Sequence, residues 1–234
     1  MTNAILLEVI ATTAEDARIA AAAGADRIEL IAAQQQGGLT PEMNLVQQIT
    51  AESSIPVHVM IRPHSRSFQY TADELEQMVR DIRQVTEHTQ AAALVLGVLN
   101  DRQQVDEPAL NRLLEAANGL SVTFHRAFDE IRDQEQALHT LARYPGITRI
   151  LTSGGQPSIL DARDKIVRLD KIARQHQIRL LAGAGLTLDT LGEFVRDTGV
   201  QEVHLGSAVR QQGDIHLPLD AERIRQAKAI LLSS

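Results

Sequence analysis

The sequence predicts a (β/α)₈ barrel, or TIM barrel, formed by all 234 residues as one domain. Short apolar runs alternate with longer helical patterns, and the alternation occurs eight times. The length is close to the roughly 250 residues that such barrels typically have. No linker and no change of composition marks a second domain. Together these observations favour a closed barrel over a doubly wound sheet, which usually has fewer strands.

The predicted strands share a short length and a content of β-branched residues that is typical of buried parallel strands. They are Ile5–Val9, Arg27–Ile31, Val57–Arg62, Ala93–Leu99, Val122–Arg126, Arg149–Ser153, Arg179–Ala184 and Glu202–Gly206.

Helix boundaries between these strands are indicated by capping residues. Thr12 with Glu15, and Thr71 with Glu74, have the spacing of a capping box. Other predicted helix starts are Thr40-Pro41-Glu42 and Asp106-Glu107-Pro108, and the glycines expected just past helix ends are Gly24, Gly119, Gly146 and Gly199.

Charge and composition exclude several classes of protein. The net charge is -7, and no stripe of Lys and Arg is present, so we expect neither a nucleic acid nor an anionic membrane as partner. There is no cysteine, which excludes disulfides and thiolate metal sites. No signal peptide and no apolar run of the ~18 residues needed for a membrane span is visible. We therefore expect a cytoplasmic protein.

Charged residues interrupt several predicted strands on one face. Glu8 and Glu29 break the apolar pattern of the first two strands, and Arg62 ends the third. If the apolar face contacts the helices, these side chains point into the barrel, where each charge needs a partner or a ligand. A structural ion pair of Glu8 or Glu29 with Arg62 is one interpretation. For Arg62 the strand-end position favours a site role, whereas mid-strand His204 fits a core histidine with satisfied hydrogen bonds.

The end of the fifth strand carries the segment His125-Arg126-Ala127-Phe128-Asp129. Its imidazole, guanidinium and carboxylate lie at the end of the barrel where the catalytic residues of such barrels are found. They are candidates for general acid–base catalysis on a bound anion. Capping of the next helix is an equally good interpretation for Asp129.

Glycine-rich segments end strands six to eight. Glycines allow backbone N–H groups to approach an oxyanion closely, so an anion-binding pocket is predicted here. Tight turns that need glycine for their geometry are the alternative. The residues concerned are Ser153, Gly154, Gly155, Gly183, Gly185, Gly206 and Ser207.

Taken together, several motifs resemble those of the CutC family, which is named for copper homeostasis. The matching stretches run from residue 5 to about residue 210 and include GADRIEL with the downstream GGLTP, VTFHRAFD and RILTSGG. The resemblance implies a (β/α)₈ fold, a cytoplasmic homodimer or higher homo-oligomer, and a connection with copper as a bound ion. By position it also implies that the polar strand-end residues of the family are Glu8, Glu29, Arg62, His125, Arg126 and Asp129.

The chain departs from some relatives that carry cysteines after the first two strands and have been linked to Cu(I) through them. Here the corresponding runs begin at Glu8 and Glu29 and contain no thiol. Because Cu(I) prefers sulfur ligands, this argues against direct copper binding.

The sequence is therefore compatible with two functions. One is a role in copper homeostasis, which rests on the resemblance. The other is a barrel enzyme of lyase or isomerase type that acts on a small phosphorylated or carboxylated metabolite, since no cofactor fingerprint is present. In the second case a small anionic ligand would be held by the glycine-rich strand ends.

Overall fold

The computed structural model describes residues 5–234, and in them eight parallel strands close into a barrel in chain order. This confirms the predicted (β/α)₈ fold. The strands are β1 (Leu6–Ala11), β2 (Arg27–Leu30), β3 (Val57–Met60), β4 (Ala93–Leu96), β5 (Ser121–Phe124), β6 (Ile147–Thr152), β7 (Arg179–Gly183) and β8 (Glu202–Leu205).

One α-helix follows each strand and packs on the outside of the barrel. The helices are α1 (Ala14–Ala23), α2 (Met43–Glu52), α3 (Ala72–His88), α4 (Glu107–Ala117), α5 (Gln134–Leu141), α6 (Arg163–Gln175), α7 (Leu188–Thr198) and α8 (Ala221–Leu232). None of the helices within residues 5–234 combines the length and the apolar character that a membrane span requires.

Several predicted helix boundaries are confirmed. Thr71 and Glu74 form a reciprocal capping box at the start of α3, and Asp106 caps α4 through its side chain. Gly24 and Gly199 end α1 and α7 in the left-handed conformation, with φ of 97° and 68°. A residue with a side chain would be strained at both positions, which explains the glycine.

Two helix starts differ from the prediction. The N-cap of α1 is Thr13 rather than Thr12. At α2, Glu42 occupies the N-cap position without a side-chain bond, because the Thr40 hydroxyl accepts a hydrogen bond from the backbone N–H of Arg62 instead. Thr40 therefore ties the loop after β2 to the end of β3.

Two predicted helix ends are also displaced. The C-cap of α4 is Asn118, which takes the left-handed conformation one residue before Gly119. The C-cap of α5 is Ala142, four residues before Gly146.

Side chains alternate between the helix layer and the barrel interior, as expected for a strand period of two. Val57 and Val59 of β3 belong to the large apolar core beneath the helices. Met60, on the opposite face, packs with Ile31 and Val95 in a separate small cluster inside the barrel. The interior below this cluster is polar rather than filled with branched side chains.

The polar interior is built around an ion-pair network. Arg27 donates to Glu8 at 2.5 Å and to Glu202 at 2.7 Å, and Arg149 donates to Glu202 at 2.9 Å. Parallel register sets Glu8 of β1 beside Arg27 of β2 and beside His204 of β8. Two carboxylates and two guanidinium groups therefore balance in charge at the bottom of the barrel.

Candidate functional site

A cavity of ≈ 250 Å³ opens at the end of the barrel formed by the carboxyl ends of the strands, and we call it the mouth pocket. This is the end where (β/α)₈ enzymes bind their substrates. One part of its wall is polar and the other is apolar. Its lining comprises Ile10, Glu29, Ile31, Gln34, Gly37, Met60, Arg62, Phe68, His125, Arg126, Leu151, Ala184, Gly185, Leu186, His204, Gly206, Ser207, Ala208 and Ile215.

Glu29 is a buried carboxyl group in the wall of the mouth pocket. It is 3% exposed, and its Oε1 has no hydrogen-bond partner among the described residues. Burial raises the pKa of Glu29 to about 7; the nearby His204 opposes this rise and the negative charge of Glu8 adds to it. A carboxyl group with such a pKa exchanges protons readily near neutral pH.

Glu8 lies one layer deeper than Glu29. Its Oε2 accepts from Arg27, and its Oε1 lies 2.7 Å from Nδ1 of His204. Burial alone would raise the pKa of Glu8, but Arg27 and the hydrogen bond from His204 outweigh it and hold the pKa well below its ordinary value. Glu8 is therefore an ionised structural carboxylate that does not face the mouth pocket.

The predicted ion pair of Glu8 or Glu29 with Arg62 is wrong, because Glu8 pairs with Arg27 instead. Arg62 lies beyond the end of β3, nearer the rim. Its Nη1 donates to the carbonyl oxygens of Gly37 and Gly38 at 3.2 and 3.3 Å. Its guanidinium carbon lies 4.4 Å from the centre of the Phe68 ring. Arg62 thus holds the loop after β2 in place, and its buried Nε has no partner among the described residues.

His125 is a neutral hydrogen-bond donor at the mouth pocket. Burial, with a smaller contribution from the positive charge of Arg62, lowers the pKa of His125 to about 3. Its Nδ1 accepts from the backbone N–H of Ala127 at 3.2 Å, so the proton of the neutral ring is on Nε2. That Nε2 is buried without a partner among the described residues. The Phe68 ring, 4.8 Å away between centroids, fixes the plane of the imidazole.

The carboxylate of Asp129 binds to the glycine-rich end of β6. Its carboxylate accepts from the backbone N–H groups of Ser153 at 3.0 Å and of Gly155 at 3.1 Å, and from the Ser153 hydroxyl at 2.9 Å. Arg126 Nε donates to it as well, at 2.7 Å. These donors form a cradle for an anion, and the anion that they bind is the side chain of Asp129. The capping alternative for Asp129 is wrong, because Asp133 caps α5.

Gly154 belongs to the same cradle but not to the mouth pocket. Its N–H donates to the Thr152 hydroxyl at 2.8 Å, and that hydroxyl donates to Asp129 at 2.5 Å. Of the predicted anion-binding residues, the three at the end of β6 therefore have internal partners. The four at β7 and β8 are differently placed.

Gly185, Gly206 and Ser207 line the mouth pocket. Within residues 5–234, the backbone N–H groups of Ser207 and Ala208 have no backbone acceptor. Gly183 has a packing role instead, since a Cβ there would lie 2.9 Å from Leu151 and 3.2 Å from His204.

His204 combines the predicted role with one that the sequence did not reveal. It is buried and hydrogen-bonded to Glu8, as expected of a core histidine. Its other ring nitrogen, Nε2, lies 3.7 Å from Oε2 of Glu29, and the residue lines the mouth pocket. Its position opposite in parity to Val203 and Leu205 was the available signal. Sequence reasoning also missed Arg27 and Glu202.

The donor atoms near the mouth pocket do not fit Cu(I). Within residues 5–234, Glu8, Glu29 and His204 are the group whose ligand atoms lie within 4.8 Å of one another. These are carboxylate oxygens and an imidazole nitrogen, whereas Cu(I) prefers sulfur. Met60 supplies the single thioether of the pocket lining. Both oxygens of Glu8 are already hydrogen-bonded, one to Arg27 and one to His204, so Glu8 is engaged within the protein.

The fold and this site define a (β/α)₈ protein with a polar pocket at the mouth of the barrel and a buried ion-pair network beneath it. The model of the CutC family matches residues 5–209. The chain belongs to the CutC family.

Curated relatives and solved structures agree with this assignment. A family protein CutC of Photobacterium profundum is 38% identical over 201 residues, which cover 86% of this chain and 81% of that protein. A family protein CutC of Vibrio campbellii is 40% identical and covers 95% of this chain and 89% of that protein. The crystal structure of a protein from Streptococcus agalactiae that is named as a copper homeostasis protein CutC superposes with a TM-score of 0.80 at 34% identity. The match covers 86% of this chain and 97% of that one.

A more distant similarity concerns the fold alone. Phosphoribosyl anthranilate isomerase from Thermococcus kodakaraensis is 20% identical, with a TM-score of 0.65, covering 98% of this chain and 100% of that one.

Proposed function

We propose that the chain is an enzyme of lyase or isomerase type that acts on a small phosphorylated or carboxylated metabolite in the mouth pocket. One observation carries the proposal. Three buried polar atoms without partners among the described residues, Glu29 Oε1, His125 Nε2 and Arg62 Nε, belong to residues that line one cavity. Because a buried polar atom without a partner costs about 1–3 kcal/mol, a bound ligand is the natural partner for all three.

The two ionisable groups suit proton abstraction next to a carbonyl group. Glu29, with a pKa of about 7, takes the proton from carbon when it is ionised. The electron pair of that C–H bond moves toward the carbonyl oxygen, where negative charge develops. His125 donates its Nε2–H to this oxygen, because a neutral imidazole with a pKa of about 3 donates a hydrogen bond without being a source of charge.

The anionic end of the ligand has two sources of attraction. Arg126 lines the mouth pocket and is held toward it by Asp129 and by the Ser153 hydroxyl at 3.1 Å. The backbone N–H groups of Ser207 and Ala208 lie on the same cavity. Backbone N–H groups together with one arginine are a common way to hold a phosphate or a carboxylate.

Copper as a bound cofactor, and the homo-oligomeric state, stay predictions that rest on the family resemblance. The oxygen and nitrogen donors of the mouth pocket favour a metabolite over Cu(I). Any part of this protein in copper homeostasis is then indirect, through the metabolite on which it acts.

A thermal-shift screen with phosphorylated sugars and small carboxylates tests the proposal. At ten times its Kd a ligand adds about 1.4 kcal/mol of stability, which raises Tm by roughly 3–6 °C for a chain of this size. We expect Arg126→Gln to weaken binding of the same compound at least about tenfold, since a hydrogen bond to a charged group contributes about 1.5–3 kcal/mol.

Arg80→Gln is the matched control, because Arg80 is an exposed arginine on α3 outside the mouth pocket. It is expected to bind the compound as the wild type does. The proposal fails if no anion in the screen raises Tm, or if Arg126→Gln and Arg80→Gln respond equally.

A further inference from the structure

The pair of Glu8 and His204 has the arrangement that orients a histidine for proton transfer. Nδ1 of His204 lies 2.7 Å from Oε1 of Glu8, and both side chains are buried. Because Glu8 is an acceptor in its ionised form, the proton of this bond belongs to Nδ1. The lone pair or second proton of the ring is then on Nε2.

Nε2 of His204 is directed toward Glu29. It lies 3.7 Å from Oε2 of Glu29, which is too long for a hydrogen bond but short enough for one ligand to contact both. Both residues line the mouth pocket. A carboxyl group and an imidazole therefore stand side by side on one wall, next to the Oε1 of Glu29 that has no partner among the described residues.

We propose that His204, oriented by Glu8, is a second proton-transfer group of the mouth pocket, and that it acts beside Glu29 on one face of the same ligand. This inference rests on the proposed function, because it needs a ligand in that pocket. It assigns a chemical role to a histidine whose hydrogen bond to Glu8 would otherwise be structural, and it makes Glu8 a positioning residue.

The charges around His204 favour its protonated form. Glu8 of β1 and Glu29 of β2 face its two nitrogens, and Arg27 of β2 lies behind Glu8. Burial alone would lower the pKa of His204, but the two glutamates outweigh burial and Arg27, and they raise the pKa above its ordinary value.

The other neighbours of His204 change this balance little. His58 of β3 lies 3.7 Å from Glu8, and its own pKa is lowered to about 3 by burial, so it stays neutral near pH 7. Gly183 of β7 packs against the imidazole without a side chain. Near neutral pH the wall thus offers an acid in His204 and a base in Glu29.

An acid and a base on the same face fit a 1,2-proton shift in an α-hydroxy carbonyl compound. Glu29 takes the proton from the hydroxyl-bearing carbon, and the C–H electron pair forms a C=C bond. The π electrons of the carbonyl group move to its oxygen, which receives the Nε2 proton of His204, giving an enediol. His204 then takes the proton of the other hydroxyl group, while Glu29 returns its proton to the former carbonyl carbon. No oxidant or other co-reactant is needed.

The substrate class that follows is a small α-hydroxy aldehyde or ketone with a phosphate or carboxylate at its other end. His125 stays neutral throughout, because its low pKa disfavours a second proton on the ring, and its Nε2–H donates a hydrogen bond to the same oxygen. The two histidines of the mouth pocket thus have different roles: His204 transfers protons, and His125 donates a hydrogen bond.

Imidazole ¹⁵N NMR between pH 5 and 9 tests the role of His204, with the signals assigned from His204→Gln. In the wild type we expect Nδ1 of His204 to keep its proton while Nε2 titrates above pH 6.5. In Glu29→Gln we expect that titration to move to lower pH, because the negative charge of Glu29, which helps to raise the pKa of His204, is removed. Oε1 of Glu29 has no partner among the described residues, so this variant is expected to fold. Glu52→Gln, an exposed carboxyl on α2, is the control.

Two results would overturn the inference: a His204 that stays neutral from pH 5 to 9, or a titration that Glu29→Gln shifts no more than Glu52→Gln. Glu8→Gln tests the orientation of His204. Without the Glu8 carboxylate, we expect the neutral imidazole to populate both tautomers, with the proton on Nδ1 or on Nε2. The thermal-shift screen separates the two proposals. Anion binding that survives in His204→Gln, together with a neutral His204 in the wild type, would leave the proposed function standing and refute the role of His204.

Discussion

Replacement of Arg27 by methionine is expected to lower the free energy of unfolding by about 3–5 kcal/mol, the cost of removing one partner from a buried ion pair. Arg27 is 2% exposed and donates to both Glu8 and Glu202. Methionine has a similar length but no charge, so both carboxylates would lose this partner inside the barrel. Glu202 would keep its hydrogen bond from Arg149, whereas Glu8 would lose its only arginine partner.

Arg163→Met is the matched control in urea denaturation followed by circular dichroism. Arg163 also pairs with two carboxylates, those of Glu193 and Asp197, but on the surface. Surface ion pairs contribute little because water screens them, so we expect Arg163→Met to lose only a small fraction of what Arg27→Met loses. Equal losses in the two variants would show that the network inside the barrel has no special part in stability.

Glu29→Gln is expected to make the protein more stable than the wild type at pH 8, although it removes the proposed base. The pKa of Glu29 is about 7 in the folded protein, against an ordinary value of 4.5. Between pH 4.5 and 7 the folded state therefore binds more protons than the unfolded state, and the stability of the wild type falls as the pH rises through this window. Glutamine has no proton to lose and avoids this fall.

The difference between the two proteins should be near zero at pH 4.5 and reach on the order of 3 kcal/mol above pH 7, since one pKa unit corresponds to about 1.4 kcal/mol. Urea denaturation at pH 4.5, 6, 7 and 8 measures it, with Glu52→Gln as an exposed control. A constant difference across this range would mean that Glu29 titrates alike in the folded and unfolded chains. A gain in stability on loss of a functional group is typical of active sites.

The sequence contained enough to predict the barrel and the polar face of its strands. Eight alternations of strand and helix leave few other folds, and the period of two along β1 and β2 places Glu8 and Glu29 inside. The ion pairs could not be found in the same way. The partners Arg27 and Glu202 are 175 residues apart, and only the register of the closed barrel brings them together.

The glycine-rich strand ends show a second limit to what the sequence alone can predict. A run such as Thr152-Ser153-Gly154-Gly155 indicates N–H groups that can hold an anion, but not which anion. In this chain the carboxylate of Asp129, 24 residues earlier than Ser153, occupies that place and orients Arg126. The N–H groups of Ser207 and Ala208 have no such internal partner among the described residues, and for them binding of an anionic ligand stays a prediction.

In the proposed mechanism Glu29 is the base of the mouth pocket, and its own titration tests this role most directly. In protein labelled with ¹³C at the glutamate side-chain carboxyl, the signal that disappears in Glu29→Gln identifies the residue. We predict that this signal titrates with a midpoint near pH 7, as a buried carboxyl with one oxygen unpartnered among the described residues should. A midpoint near 4.5, the ordinary value for glutamate, would contradict the account.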